Sequence, residues 1–148
     1  MFNNQISNKM LKYLIPFFIL FSFLSFKIES ENDLKCIDFH KGKFYLINKD
    51  TNRKYFISRK IDFQSEKTFN LKTGKKFSGI KNYKIKWKND CEYTLIIDTS
   101  KKNIDETDLY INSNGGLNCK IVKIEGNCAS VITSFENSTI ESKICKYE

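Results

Sequence analysis

The sequence predicts an all-β protein, a small antiparallel meander that curls into a barrel or half-barrel. Three observations carry that prediction. Apolar residues recur with a period of two in short segments, clusters of Gly, Asn, Asp and Ser separate those segments, and beyond residue 30 nothing reads as a helix longer than two turns. The single proline, Pro16, falls before that point, so no ladder in the remaining chain is interrupted by a missing N–H.

The first thirty of the 148 residues read as a segment apart. Lys9 and Lys12 precede an apolar run from Tyr13 to Phe26, the layout of a secretory signal peptide. That run is short of the roughly 20 residues a membrane span needs; the alternative is an uncleaved N-terminal anchor. Residues 31–148 then form one β-rich domain of 118 residues. Without Lys9, Lys12, Lys27 and Glu29 the net charge goes from +8 to +6, with 22 basic against 16 acidic side chains. The lysines are spread along the strands, as solvent-facing residues that keep a β protein soluble and guard its edges would be.

Taken in order, Phe44 to Ile47 is apolar on both faces, Asn48 to Arg53 is a polar turn, and Tyr55 to Ile57 resumes a strand, making residues 43–60 a first hairpin. Ile61, Phe63 and Ser65 alternate with Asp62, Gln64 and Glu66, a further strand. Lys72 to Lys76 is a turn in which Gly74 supplies a positive φ. Between Tyr83 and Asp98 the alternation is strongest: Tyr83, Ile85 and Trp87 on one side, Cys91, Tyr93, Leu95 and Ile97 on the other. A three-residue loop at Lys88-Asn89-Asp90 would set Trp87 opposite Cys91, Ile85 opposite Tyr93 and Tyr83 opposite Leu95. Ser100 to Asp108 reads as an exposed connection with room for one helical turn, and Leu109 to Ile111 as a short strand before the turn Asn112 to Gly116. Leu117–Glu125, Cys128–Phe135 and Thr139–Lys146 complete a run of about eight strands.

Five cysteines lie beyond residue 30, and export favours disulfides. The first pairing expected is Cys36 with Cys91, tying the start of the domain to the central hairpin. The second is Cys119 with Cys128, across a hairpin turning near Glu125 to Asn127, which leaves Cys145 free.

Three stretches together resemble a family of short exported bacterial proteins: C-I-D-F-H-K-G-K-F from Cys36, Arg59 with Q-S-E from Gln64, and W-K-N-D-C-E-Y-T-L from Trp87. The family patterns are C-x-D-F-x-x-G-x-F, R…Q-x-E and W-x-N-D-C-E-Y-x-L, and the match covers residues 36–98. The resemblance implies a small exported domain with no assigned activity; the DNA topoisomerase label such chains sometimes carry is at odds with this size. Gly42 to Tyr45 is also similar to the G-x-W motif near the first strand of lipocalin-like barrels, with Phe44 in place of tryptophan.

Residues that could carry chemistry are few. His40, the single histidine, lies in a turn-like stretch with no partnered nucleophile and reads as a surface residue. Arg59, Gln64 and Glu66 read as a polar cluster between adjacent strands, with Arg59 giving a bidentate pair to Glu66. No Gly-rich phosphate loop, paired-carboxylate signature or metal-ligand cluster is present in the sequence, so neither enzyme activity, cofactor nor metal is expected. The function expected is binding, of a small apolar ligand inside the barrel or a protein partner at its rim. Phe44, Tyr83, Trp87 and Tyr93 are the residues that would line an interior site. The alternative is a basic surface module that binds anionic envelope lipids or polysaccharide, distinguished by affinity that falls with salt. Nucleic acid is not an expected partner, and membrane association is expected only of an uncleaved N-terminal segment. The compartment expected is the periplasm, cell envelope or medium.

Overall fold

The computed structural model describes residues 34–77, 79–102 and 104–147; the expected signal segment lies outside the described residues. Eight strands, β1 (Gly42–Asn48), β2 (Arg53–Arg59), β3 (Phe63–Asn70), β4 (Lys81–Asn89), β5 (Glu92–Ile97), β6 (Leu117–Glu125), β7 (Cys128–Phe135) and β8 (Ser138–Tyr147), close into an antiparallel barrel. Each strand pairs with its sequence neighbours, and β8 returns to β1 through Lys43↔Tyr147 to Leu46↔Ile144. Closure removes sheet edges that a half-barrel would expose. The all-β meander read from the alternation is therefore present, in its closed form.

Period two places one set of side chains inside. Register carries that set round the barrel: Phe44 opposite Ile57, Arg59 opposite Gln64, Gln64 opposite Tyr83, Tyr83 opposite Ile97, and Tyr93 opposite Cys119. We call the end where β1 begins the lower end. A 3₁₀ turn, Cys36–Phe39, closes it from below. Phe39 is fully buried and stacks on Phe44 with centroids 5.6 Å apart. Trp87 lies against His40 (centroids 3.6 Å apart) and donates from its indole N–H to the Ile61 carbonyl at 2.7 Å. His40 in turn donates from Nε2 to the Asp90 carbonyl at 2.8 Å, so it is an integral part of this closure.

At the upper end β5 leads into α1 (Glu106–Ser113). The Leu109–Ile111 strand expected from sequence is helical instead. Asp105 accepts from the Asp108 amide and Asp108 accepts from the Asp105 amide, a reciprocal cap that starts the helix. The helix ends in a return to β6 that requires glycine. Gly116 has φ +84°, and a Cβ there would stand 2.5 Å from the Leu95 carbonyl oxygen.

The central hairpin departs from its expected register by two residues. Trp87 pairs with Tyr93, Ile85 with Leu95 and Tyr83 with Ile97, with an irregularity between Trp87 and Asn89. The Asn89 side chain accepts from the Cys91 amide, which makes Asp90-Cys91 the turn and frees Cys91 from the ladder. Cys91 is thereby available to Cys36, and that disulfide forms as expected.

The second pairing differs: Cys128 bonds Cys145, and Cys119 is the free, buried thiol. Hairpin geometry gives the reason. The turn at Gly126-Asn127 sets Glu125 opposite Cys128, so Cys119 falls opposite Thr133, five residues up the strand from Cys128. At about 3.3 Å per residue no disulfide spans that distance. Cys128 instead faces Cys145 directly across β7 and β8.

Candidate functional site

The inward face of β3 is its polar one. Gln64 and Glu66, not Phe63 and Ser65, point into the barrel, because they stand opposite the inward Arg59 and Ile57. A buried positive charge needs partners in every donor direction. Arg59 donates from Nε to Gln64 Oε1 at 2.7 Å, from one terminal nitrogen to the Phe39 carbonyl at 3.0 Å and from the other to Tyr93 Oη at 3.0 Å. Its guanidinium also lies over the rings of Tyr93, Phe44 and Trp87. The expected bidentate pair with Glu66 is absent. Gln64 occupies the guanidinium's free edge and passes the network on, donating from Nε2 to Glu66 Oε1 at 2.6 Å. Tyr83 donates to the other carboxyl oxygen of Glu66 at 3.4 Å.

The four aromatics expected to line a ligand site are divided by this network. Phe44, Tyr93 and Trp87 surround Arg59 in the lower half, and Trp87 also packs on Tyr93 with centroids 4.6 Å apart. Phe44 and Tyr93 are buried in the main apolar cluster, Trp87 half-buried against it. Tyr83 stands higher, beside Glu66.

Exposure varies along the inner face. Ile57, Ile85, Leu95, Ile97, Ile121, Val131 and Ile144 are all buried. Nearer the upper strand ends, several side chains that register places on the inner face are part-exposed: Leu46, Tyr55, Thr68, Leu117, Thr133 and Ser142. Ile140, opposite Thr133, is 64% exposed. The inner face is thus closed over most of its length and part-accessible toward the upper strand ends, beyond Glu66 on β3. None of those upper residues stands out in the sequence. They could have been found only by extending the inward register of β1 and β2 to the ends of the strands.

The Glu66 and Tyr83 pair is electrostatically unusual. Burial pushes the Glu66 carboxyl above its ordinary value, against the opposing pull of Gln64, Arg59 and Tyr83. Burial, then the neighbouring Glu66, raises the Tyr83 phenol well above its usual range. Tyr93 is pushed up to about 12 by burial, with Arg59 opposing. Burial likewise raises the Cys119 thiol, which lies 3.6 Å from the Thr133 hydroxyl and is therefore a poor nucleophile. Opposite Glu66, Lys81 bridges to Asp108 and, at 3.5 Å, to Asp105 of the α1 cap. Among the described residues no cluster of His, Cys, Asp and Glu is placed to hold a metal ion.

The raised Glu66 pKa has a stability consequence of defined sign. The folded state holds this proton more tightly than the unfolded chain. Its contribution is therefore complete below the unfolded value of 4.5 and is lost as pH rises through the folded value. Urea unfolding across that window should show parent stability falling with pH relative to Glu66→Gln, which carries no proton to lose. Parallel curves for the two proteins would exclude Glu66 as the group responsible.

A concavity of about 430 Å³ lies on the outer wall, where Phe56, Ser58, Ser65 and Lys67 meet Lys43, Ile80 and Tyr147. Its aromatic members already pack on one another: Phe56 meets Tyr147 and Phe69 edge-on, and Lys54 lies over the Phe56 ring.

The chain matches no protein-family model, and comparison with curated proteins and with solved structures returned no match.

Proposed function

We propose that this protein is an exported, non-catalytic binding module that holds a small, largely apolar molecule in the upper half of its barrel. The polar end of the ligand would meet Glu66 and Tyr83. The observation that supports this reading is the change in exposure along the inner face: a solid lower half, and above it a part-exposed lining of Leu46, Tyr55, Leu117 and Ile140 with hydroxyls from Thr68, Thr133 and Ser142. An apolar cup with a few convergent polar groups and a perturbed carboxyl is the usual anatomy of a small-molecule site. The two disulfides accord with an oxidising compartment. The function thus rests on the part of the interior that packing leaves open; the aromatics around Arg59 serve to stiffen its base.

The test is a native mass spectrum of protein recovered from its oxidising compartment, together with titration of an apolar fluorescent probe. A retained mass that leaves on denaturation, and probe binding abolished by filling the cup with Thr68→Trp, are the expected results. A bare chain whose probe affinity is the same in Thr68→Trp as in the parent would overturn the interior site.

A further inference from the structure

Exposed apolar side chains are distributed unevenly over the barrel. Of the ten large ones among the described residues, five belong to the upper end, Ile47, Phe77, Leu109, Tyr110 and Ile140, while Ile80 lines the outer-wall concavity with Ser58, Ser65 and Lys43. Their placement distinguishes the upper end as a surface that water alone serves poorly.

Charge marks one sector of the same rim. The β3–β4 connection, residues 71–80, carries Lys72, Lys75 and Lys76 without a single carboxylate, and Phe77 within it is half exposed. The β5–α1 connection adds Lys101 and Lys102; it leaves β5 where the Asp98 amide donates to the carbonyl of Asn82, the second residue of β4. None of these five lysines forms a salt bridge among the described residues. The acidic groups nearby are mostly committed: Asp98 is buried and held by Ser100, and Asp105 and Asp108 hold Lys81, leaving Glu106 exposed. A cleft of about 250 Å³ between Asn70, Thr73, Lys75, Lys76 and Phe77 sits in the middle of the sector.

We propose that this rim docks on an anionic lipid bilayer. Phe77 enters at headgroup level, the five lysines face the anionic headgroups, and the upper end of the barrel faces the membrane. A soluble polyanion would need the lysines alone; an apolar tip set among lysines matches an interface that is apolar below and anionic above. The membrane is then the source or destination of the interior ligand. That last step rests on the interior site proposed above, whereas docking rests on the rim.

The experiment is co-sedimentation of the exported protein with phosphatidylcholine vesicles and with mixed phosphatidylcholine–phosphatidylglycerol vesicles. Binding is expected for the mixed vesicles only, weakening with added salt. Each lysine near an anionic surface is worth roughly fivefold in affinity, so Lys75→Glu combined with Lys76→Glu should weaken binding by at least about twentyfold. Phe77→Asp should weaken it about tenfold, and Val122→Asp, on the barrel wall, should leave it unchanged. Rim variants that bind as the parent does would overturn the proposal, as would a folded parent that ignores the mixed vesicles. Tight binding to a soluble polyuronate, unaffected by Phe77→Asp, would assign the lysines to a polymer and also overturn it. The native mass spectrum separates the two readings. If docking alone fails, retained ligand persists; if the interior site alone fails, vesicle binding persists with no retained mass.

Discussion

Arg59→Met is expected to destabilise the barrel by about 3–5 kcal/mol, the range for removing one member of a buried, hydrogen-bonded charge network. Methionine fills most of the arginine's volume, so the effect comes mainly from lost partners and little from a cavity. Three buried groups lose their donor at once: Gln64 Oε1, the Phe39 carbonyl and Tyr93 Oη. Each unsatisfied group costs about 1–3 kcal/mol, and the planar contacts with Phe44, Trp87 and Tyr93 go as well. Arg59→Lys keeps the charge without the fork and should fall between the two. Urea midpoints of the three proteins, at an unchanged slope, check this. A methionine variant within about 1 kcal/mol of the parent would mean that the network is incidental to the fold.

Much of this architecture was legible in the sequence because strand alternation depends on local residue order. The eight strands lie on the apolar period-two segments and between the turns that the sequence marks, with Leu109–Ile111 helical instead of a further strand, and Gly74 adopts the positive φ its turn called for. What eluded reading depends on longer-range geometry. The R…Q-x-E residues look like a strand edge until β3 is known to turn its polar face inward, which only its register with β2 decides. The Cys119–Cys128 pairing fails for a different reason: nine residues can span a hairpin, but a turn at Gly126-Asn127 places Cys119 opposite Thr133. The helix after Asp105 was signalled by its reciprocal cap, but three consecutive apolar-leaning residues, Leu109 to Ile111, read equally well as a strand. The part-exposure at the upper strand ends was not legible, because the exposure of Leu46 or Thr68 is fixed by where neighbouring strands stop.

Removing the Cys36–Cys91 disulfide by paired serine substitution should cost about 4 kcal/mol, and removing Cys128–Cys145 about 3. The chain-entropy relation gives those values for closures of 55 and 17 residues. The two losses should nevertheless differ in kind. Cys36–Cys91 joins the 3₁₀ closure to the β4–β5 turn, and Trp87, the chain's only tryptophan, packs at that end between His40 and Tyr93. Freed of the tie, the closure is held chiefly by burial of Phe39 and by the Arg59 bond to its carbonyl. Native tryptophan emission should therefore move toward that of solvated indole in the Cys36→Ser, Cys91→Ser protein. It should stay at the parent value in the Cys128→Ser, Cys145→Ser protein, whose lost bond lies across β7 and β8. If emission is unchanged in both, Phe39 and Arg59 suffice to seat the closure, and the disulfide acts only on the unfolded chain. If it shifts in the first alone, the disulfide also shapes the native lower end, and Arg59→Met in that background should lose more stability than the two changes summed.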